Sequence, residues 1–374
     1  MLRHATLTCL AIAVIAGSAT AALAQGGFGH AVLTPDPGFW TPEALAAVRP
    51  LPLPRAGAAP AGAAVEEEPI GAEVPELTPA SQPSLDVEPD WSLRIGVPAT
   101  PAITVDGQPA SAAPRDEGRA RLLFSSSRVF PADALAAYPY RTTGILIFKD
   151  GSGEFQCTAS MIQRRLLLTA GHCVYDAATK TFNSNFMFLP AADQGKAPFG
   201  AWPATEAFVT STWMTGKAVV PNAADYGILV IKDQPFDGGP LQALGNVVGW
   251  LGTLTSSLFP NHVTMLGYPA NLDNAVRMHR VDSQSDLTPS SNRRTNTVLY
   301  GSDMQHGSSG GPWVQNFGVF SVGQTLNAPG NVVVAVTSFG PDDTTQEDLG
   351  ASVPDSRLTA MVKAACAAAS GNCQ

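Results

Sequence analysis

The chain has little charge, and basic residues are the scarcer kind. Charged residues make up 14% of the 374 residues, with 22 Lys and Arg against 31 Asp and Glu, which gives a formal net charge of -9. A protein that binds nucleic acid needs a cationic surface for the phosphates, so this composition argues against such a partner. Much of the excess acid lies near the N-terminus, for example at residues 66–68. The charge therefore says little about the substrate of a downstream domain.

Long uninterrupted apolar runs are also missing. After residue 24, no stretch reaches membrane-spanning length without Gly, Pro or a charge. Residues 1–24 combine a basic start at Arg3, a short apolar run at 7–15 and the sequence Ala22-Leu23-Ala24. This pattern is typical of a secretory signal cleaved before Gln25. We expect an exported protein, secreted or periplasmic, with no membrane partner.

Cysteine is scarce, with five residues in the chain, of which Cys9 falls in the signal segment. An even number in an exported chain predicts two disulfides. The four that remain are Cys157, Cys173, Cys366 and Cys373. A metal site at His172 and Cys173 is the competing interpretation, but the chain lacks a second Cys/His pair at ligand spacing. We therefore expect neither a metal nor another cofactor.

Residues 25–121 lack any sustained hydrophobic period and are rich in Ala, Pro and acid. Such a segment buries too little apolar area to offset its ordering entropy, so we expect an extended or largely disordered extension. A helical turn near 42–48 and a strand near 91–97 are the expected exceptions. A removable propeptide, a permanent spacer and a small binding module remain open as its role. Basic residues at the composition shift suggest cleavage after Arg121, which leaves 122–374 as the main domain.

From residue 144 onward, few helix-length periods occur and short apolar stretches alternate with turns, which predicts an all-β domain. The run 145–148 ends at Lys149-Asp150-Gly151-Ser152-Gly153, a hairpin signal. An Ala-rich stretch at 355–369 without Pro or Gly predicts a C-terminal helix. The other expected strands are 155–162, 165–169, 185–190, 206–210, 227–231, 262–267, 275–281, 297–300, 312–315 and 331–338.

The run Gly307-Ser308-Ser309-Gly310-Gly311-Pro312 is the strongest chemical signal in the chain. Glycines on both sides of a serine let the backbone turn tightly, expose the hydroxyl and aim amide N–H groups into one pocket. We interpret Ser309 as a nucleophile. A serine hydroxyl is weak at neutral pH, so this interpretation requires a histidine base and a group that orients it.

Of six histidines, only His172 lies in a context that suits a base, at a Gly turn directly after the apolar run 166–168. The orienting carboxylate is expected between His172 and Ser309, just before a strand, and Asp225 fits that description. Asp176 and Asp233 are the alternatives. Asp176 is close to His172 along the chain, and Asp233 follows its strand in a turn.

The order His, Asp, Ser in these three contexts resembles the trypsin-like serine peptidases of the chymotrypsin fold. The resemblance covers roughly residues 122–365 and is nearest to the bacterial glutamyl-endopeptidase-like branch. It implies two six-stranded antiparallel barrels with a cleft between them and a helix packed outside. His172 and Asp225 would come from the first barrel and Ser309 from the second. The matching stretches are 138–141, 157–162, 169–175, 224–230, 266–270 and the serine loop.

The resemblance also implies roles for other residues. The amides of Gly307 and Ser309 would bind the oxyanion. In the family pattern Cys157 pairs with Cys173, and Cys366 and Cys373 would close a small C-terminal loop. Digestive members carry an aspartate at the position of Ser308 that pairs with a new N-terminal amine. Ser308 carries no charge, so any latency should come from the extension covering the cleft or the pocket for the residue before the cleaved bond.

Residues expected to bind substrate are Asp303, His306, Thr337, Ser338 and Gly340. Glutamyl-specific members have a pocket histidine where this chain has Thr337, which argues against Glu preference. Asp303 lies six residues before the nucleophile, where an acid on the pocket floor pairs with Arg or Lys. As the alternative, Asp303 is a solvated loop acid. His306 is expected at the pocket rim, as a binding residue and not a second base.

We therefore expect an exported, monomeric serine endopeptidase that acts on proteins or peptides, with a preference for Arg or Lys. A catalytically silent binding protein on an acidic Pro-rich stalk is the alternative. An esterase of the α/β-hydrolase type would need the order Ser, Asp, His and a helix after the serine. Here the order is reversed and Pro312 follows Ser309 closely.

Overall fold

The structure is a computed structural model that describes most of the domain and part of the extension. The described residues are 22–23, 27–55, 76–95, 115–119, 122–216, 218–255, 261–285, 297–318, 330–341 and 347–373. Most of the expected signal segment and the expected cleavage point at Arg121 therefore lie outside them. No helix within these ranges is both long enough and apolar enough to cross a bilayer.

Strands dominate the described ranges. In chain order they are β1 (Ala22–Leu23), β2 (Phe28–Val32), β3 (Arg49–Pro50), β4 (Leu77–Thr78), β5 (Arg115–Arg119), β6 (Leu122–Arg128), β7 (Thr143–Lys149), β8 (Glu154–Met161), β9 (Leu166–Thr169), β10 (Tyr175–Asp176), β11 (Thr181–Phe182), β12 (Ser184–Pro190), β13 (Trp202–Thr210), β14 (Gly227–Ile231), β15 (Gln234–Pro235), β16 (Leu241–Gln242), β17 (Gly252–Leu254), β18 (Asn261–Gly267), β19 (His279–Ser285), β20 (Thr297–Gly301), β21 (Pro312–Gln315), β22 (Val332–Phe339) and β23 (Asp348–Ser352).

The helices in the same ranges are short, apart from the last. They are α1 (Pro42–Ala47), α2 (Ala132–Ala136), α3 (Gly171–Val174), α4 (Ser211–Thr215), α5 (Leu244–Val248) and α6 (Ser356–Ala368). The expected C-terminal helix is confirmed, and Asp355 caps it by accepting a hydrogen bond from the Arg357 N–H. It packs outside the first barrel, against β13 and β14.

The first barrel consists of six antiparallel strands in the described part of the chain. Their order is β13, β12, β7, β8, β9 and β14, and β14 pairs back with β13 to close the ring. The strands β9 and β14 are buried along their whole length. Strands that are covered on both faces form continuous apolar runs and do not alternate. This is why the apolar runs at 166–169 and 227–231 could be recognised as strands from the sequence.

The second sheet follows the order β20, β23, β22, β21, β18, β19, β6 and β5 in the described residues. It curls, because β20 also lies against β19 and β6. Its core includes the buried side chains of Tyr300, Met304 and Trp313. The expected strand at 275–281 starts later, at His279, because Asp273–Ala275 forms a 3-10 turn with positive φ angles. The all-β prediction is confirmed.

The prediction of a largely disordered extension is wrong for 27–55 and 76–95. Strand β2 adds to the first barrel beside β13, β3 pairs with β8, and β4 pairs with β17. The side chains of Phe28, Leu45, Val48 and Leu53 are buried. Isolated apolar residues bury enough area here because each one meets the surface of a completed barrel. The expected helical turn near 42–48 is confirmed, whereas 91–95 forms a turn with one bridge, not a strand.

Candidate active site

The serine loop lies between β20 and β21 and depends on glycine at two positions. Gly307 and Gly310 have φ angles of +88° and +81°, a region that suits glycine. A Cβ atom on Gly310 would lie 2.1 Å from Thr169 Oγ1 and 2.4 Å from the Thr158 carbonyl oxygen. The loop can therefore approach the first barrel only because Gly310 has no side chain. This approach fixes the position of Ser309.

A threonine of the first barrel holds the serine loop by both its backbone and its side chain. The Thr158 N–H donates to the Ser309 carbonyl at 2.8 Å. The Thr158 hydroxyl donates to the Gly307 carbonyl at 2.9 Å and accepts from the Tyr268 N–H at 3.1 Å. Strand β8 thus binds two segments of the second sheet. The candidate nucleophile is held at the contact between the two units.

His172 lies on α3, directly after β9. The disulfide Cys157–Cys173 ties this helix to β8, as the resemblance implied. Gly171 leaves no room for a side chain, because a Cβ atom there would meet Asp225 Oδ1 and the Trp213 ring at 3.0 and 3.1 Å. This close packing brings the helix backbone against the carboxylate.

Asp225 is fully buried and its carboxylate accepts three hydrogen bonds. Oδ1 accepts from the His172 backbone N–H at 2.8 Å, and Oδ2 lies 2.8 Å from His172 Nδ1. The Ser338 hydroxyl donates to Oδ2 at 2.6 Å. An ionised carboxylate accepts only, so Nδ1 carries the proton and the lone pair lies on Nε2. The ring is therefore oriented to accept a proton at Nε2.

The two alternative carboxylates have other partners. Asp176 accepts from the Ala178 N–H at 2.8 Å and from the Thr179 hydroxyl at 2.6 Å. Asp233 accepts from Arg165 Nε at 2.6 Å. Asp225 is thus the carboxylate, of the three considered, that contacts the histidine.

His172 Nε2 and Ser309 Oγ are both buried and have no hydrogen-bond partner among the described residues. They are therefore not hydrogen-bonded to each other in this structure, although the serine loop packs against the backbone just before α3. A Cβ atom on Gly310 would lie 2.7 Å from the Ala170 nitrogen, and the Gly310 N–H donates to the Thr337 carbonyl. Buried polar atoms without partners are costly. In resting enzymes catalytic hydrogen bonds are often long.

The expected oxyanion amide of Gly307 already has an acceptor. Its N–H donates to the Leu51 carbonyl of the extension at 3.2 Å. The neighbouring Ser308 is buried, and its hydroxyl donates to the Gln305 carbonyl at 2.6 Å. The side chain of Ser308 therefore stabilises its own loop.

At the end of β22, on the strand expected to line the pocket, the side chains form hydrogen bonds within the protein. The Thr337 hydroxyl accepts from Trp313 Nε1 at 2.9 Å, and the Ser338 hydroxyl bonds to Asp225. Both hydroxyls are therefore already hydrogen-bonded within the protein, as are the Thr337 N–H, to the Gly311 carbonyl, and the Thr337 carbonyl, to the Gly310 N–H. The Gly340 N–H donates to the Pro54 carbonyl at 2.9 Å. The role of the Ser338 side chain was not found from the sequence.

Asp303 and His306 precede the serine in its loop. Asp303 is 6% exposed, so it is not the solvated loop acid of the alternative interpretation. Its carbonyl accepts from Asn271 Nδ2 at 2.6 Å. His306 Nδ1 accepts from the Leu53 N–H at 2.9 Å, so His306 contacts the extension.

One group of three potential metal ligands occurs within the described ranges, formed by Cys157, His172 and Cys173. The two sulfurs are bonded to each other. A cysteine binds metal as a thiolate, and neither sulfur is available in that form. The group therefore does not fit a metal ion.

The chain is similar to glutamyl endopeptidase of Bacillus licheniformis, with 29% identity over 178 residues, which cover 47% of this chain and 49% of that protein. It is also similar to an extracellular metalloprotease of Bacillus subtilis, with 27% identity over 199 residues, or 51% and 56% of the two chains. The chain thus spans about half the length of the curated relatives it matches. Among solved structures, the protease Anisep from Arthrobacter nicotinovorans shares the fold, with 22% identity, a TM-score of 0.51 and coverage of 62% of this chain and 98% of that one.

Residues 142–323 match the family model of the trypsin-like peptidase domain. This range begins at the start of β7 and includes His172, Asp225 and the whole serine loop. The site geometry, the closed barrel and the family match agree with one another. Over residues 142–323 the chain resembles the trypsin-like peptidases.

Proposed function

We propose that the chain is an exported serine endopeptidase in which Ser309, His172 and Asp225 form the catalytic triad. The observation that carries this proposal is the His172–Asp225 pair, which fixes the imidazole with its lone pair on Nε2. The buried Ser309 hydroxyl lies in a loop held by the same barrel. A buried histidine–carboxylate pair and a buried serine are each common alone, but together they supply a base and a nucleophile for peptide hydrolysis.

The chemistry proceeds in two halves. Ser309 Oγ attacks the carbonyl carbon of a peptide bond while His172 Nε2 takes its proton, and Asp225 stabilises the imidazolium. The oxyanion that forms is bound by the amides of Gly307 and Ser309. His172 then donates the proton to the leaving amine, which leaves an acyl group on Ser309. Water attacks this ester through the same base, and the serine is released with its proton.

We propose Arg or Lys as the preferred residue before the cleaved bond. Burial of Asp303 supports this choice, because a carboxylate in a poorly hydrated pocket binds a cationic side chain through charge-assisted hydrogen bonds. Thr337, whose hydroxyl is taken by Trp313, offers no cation for a substrate carboxylate. The name glutamyl endopeptidase belongs to the relative, and its preference is not transferred to this chain.

Export is supported by the cysteines. The four that remain after the expected signal form the disulfides Cys157–Cys173 and Cys366–Cys373. Such bonds persist in oxidising compartments, such as the periplasm or the extracellular space. Proteins or peptides are the proposed substrates of a monomeric enzyme.

A peptide-library cleavage profile of the secreted protein tests the proposal. We expect cleavage after Arg and Lys, and none by the Ser309→Ala variant. Asp303→Ala should lower kcat/KM for these peptides about 10- to 100-fold, the value of a charge-assisted hydrogen bond, and should spare small neutral esters. The matched control is Asp282→Ala, which removes a carboxylate paired with Arg280 on β19. Equal losses on peptides and esters would refute the pocket assignment. If the activated protein, freed of the extension, hydrolysed no substrate, a binding protein would be the remaining function.

A further inference from the structure

The extension passes through the cleft at residues 49–55. Arg49–Pro50 pairs in parallel with Phe155 and Gln156, and the Leu51 N–H donates to the Gln156 carbonyl at 2.9 Å. Further along, the Pro54 carbonyl accepts from the Gly340 N–H, and Arg55 forms a parallel bridge with Gly340. We call residues 49–55 the strap. It lies across both sides of the serine loop.

The strap occupies one group that the proposed mechanism needs and one residue at the rim of the proposed pocket. The Leu51 carbonyl accepts from the Gly307 N–H, which is the oxyanion donor, at 3.2 Å. The Leu53 N–H donates to His306 Nδ1 at the rim of the proposed pocket. The Leu53 side chain is 6% exposed and packs beside Gly340, where an added Cβ atom would lie 3.8 Å from it. A substrate cannot reach the oxyanion donor or the pocket mouth while the strap is in position.

The strap runs opposite to the direction of a substrate. If the pocket at Asp303 and Gly340 takes the residue before the cleaved bond, the residues upstream of that bond lie along Gly340 and those downstream of it lie toward Gln156. A substrate therefore runs from Gly340 to Gln156 in the N-to-C direction. The strap runs from Gln156 to Gly340. In this orientation no peptide bond of the strap presents its carbonyl carbon and its leaving amine to Ser309 and His172 in the productive order.

Proline contributes to the fit of the strap. Pro50, Pro52 and Pro54 fix φ near the value of extended backbone and carry no N–H, so little entropy is lost when the strap binds. The only N–H groups it has to pair before Arg55 are those of Arg49, Leu51 and Leu53. The sequence Arg-Pro-Leu-Pro-Leu-Pro-Arg reads the same in both directions, so its side-chain order does not select the orientation.

The tether upstream of the strap selects the orientation. Strand β2 pairs along its whole length with β13, and His30 Nε2 lies 2.8 Å from Glu206 Oε2 across that pair. Helix α1 follows and delivers the chain to the Gln156 side of the cleft. An intramolecular segment has a high effective concentration, so a short strap can occupy the cleft persistently.

We propose that the strap is an autoinhibitory segment that occupies the cleft in the non-cleavable direction, with Leu53 as its anchor in the pocket mouth. This inference rests on the proposed function and on its pocket assignment. It accounts for latency without a charged residue at Ser308. Activity then requires displacement or removal of the strap.

The rate of Ser309 labelling by a small organophosphorus fluoride tests the proposal on the full chain. Leu53→Asp removes an apolar anchor and introduces a charge, and should raise the labelling rate about tenfold or more. Leu53→Ser is the milder variant, should the first fail to fold, with the same direction. The matched control is Leu93→Asp, at a residue of the extension that is 41% exposed and outside the strap. Its labelling rate should equal that of the wild type.

Hydrogen exchange of the Gly307 and Gly340 amides provides a readout that does not depend on chemistry. Both should exchange faster in Leu53→Asp than in the wild type. If the wild type labels as fast as Leu53→Asp and both amides already exchange freely, the strap is refuted and the proposed function stands. If exchange differs as expected but no variant labels, the strap occupies the cleft and Ser309 is not the nucleophile. A new N-terminus between 50 and 55, generated by the chain itself, would refute the non-cleavable direction.

Discussion

Replacing Asp225 by Asn tests the orientation of the imidazole most sharply. The amide would have to donate with its NH2 group at one of the two carboxylate positions. At the Oδ1 position the NH2 would face the His172 backbone N–H, which is donor against donor. At the Oδ2 position it would face Nδ1 and the Ser338 hydroxyl, and both can accept. We therefore expect the NH2 group at Oδ2 and the proton of His172 on Nε2.

A proton on Nε2 removes the base that Ser309 needs. In a Ser-His-Asp site this tautomer lowers kcat about 10⁴-fold, which corresponds to about 5.5 kcal/mol at the transition state. Binding should change little, because Asp225 does not contact substrate. We expect the loss in kcat with KM within a few-fold of the wild type, measured by ester hydrolysis on the activated secreted protein.

Asp233→Asn is the matched control, since Asp233 pairs with Arg165 and does not contact the histidine. It should retain wild-type kcat. Proton NMR provides a second observation, because the Nδ1–H signal of His172 should be present in the wild type and lost in Asp225→Asn. A kcat within tenfold of the wild type, or an equal loss in Asp233→Asn, would refute this account of the site.

Two further predictions concern stability. Burial alone would raise the pKa of Asp273, but hydrogen bonds from His279 and Arg128 outweigh burial and lower the pKa to about 2. A lowered pKa stabilises the fold at pH values above the unfolded pKa near 4, and this stabilisation is lost as the pH falls toward 2. Between pH 5 and 2 the wild type should therefore lose about 2 kcal/mol more unfolding free energy than Asp273→Asn. Equal losses of the two proteins in urea titrations at pH 5 and 2 would contradict this. Gly310→Ala should lower the unfolding free energy by about 3 kcal/mol or more, because the added Cβ atom meets two oxygens. The control Gly318→Ala has a φ of +76° but open space around the added atom, and should lower it by about 1 kcal/mol. Equal shifts in Tm would show that the contact at Gly310 has no effect.

Elements that carry their own signal were predictable from the sequence. The strand 227–231 is a continuous apolar run in a barrel covered on both faces, and its bounds agree with β14. The strand 312–315 agrees equally well with β21. The contexts of His172 and Asp225 predicted a pair whose ring nitrogen and carboxylate lie 2.8 Å apart, whereas the role of Ser309 stays a prediction.

Elements stabilised by a distant partner were not predictable. Strand β6 is rich in serine and forms because β19 pairs with it. Strand β2 has no period of its own and forms on β13. The strap lacks any local signal except its alternating prolines, which belong to a Pro-rich segment expected to be extended or largely disordered. Its key contacts use backbone carbonyls, such as that of Leu51, and side-chain chemistry in the sequence does not reveal them.

The central claim is that Ser309 forms a covalent intermediate with the help of His172. The most direct test is mass spectrometry of the activated protein after a brief reaction with a slowly deacylating ester. The account predicts one acyl group, on the peptide that contains Ser309, and none in the His172→Ala variant. An acyl group on another residue, or an undiminished yield in His172→Ala, would contradict it.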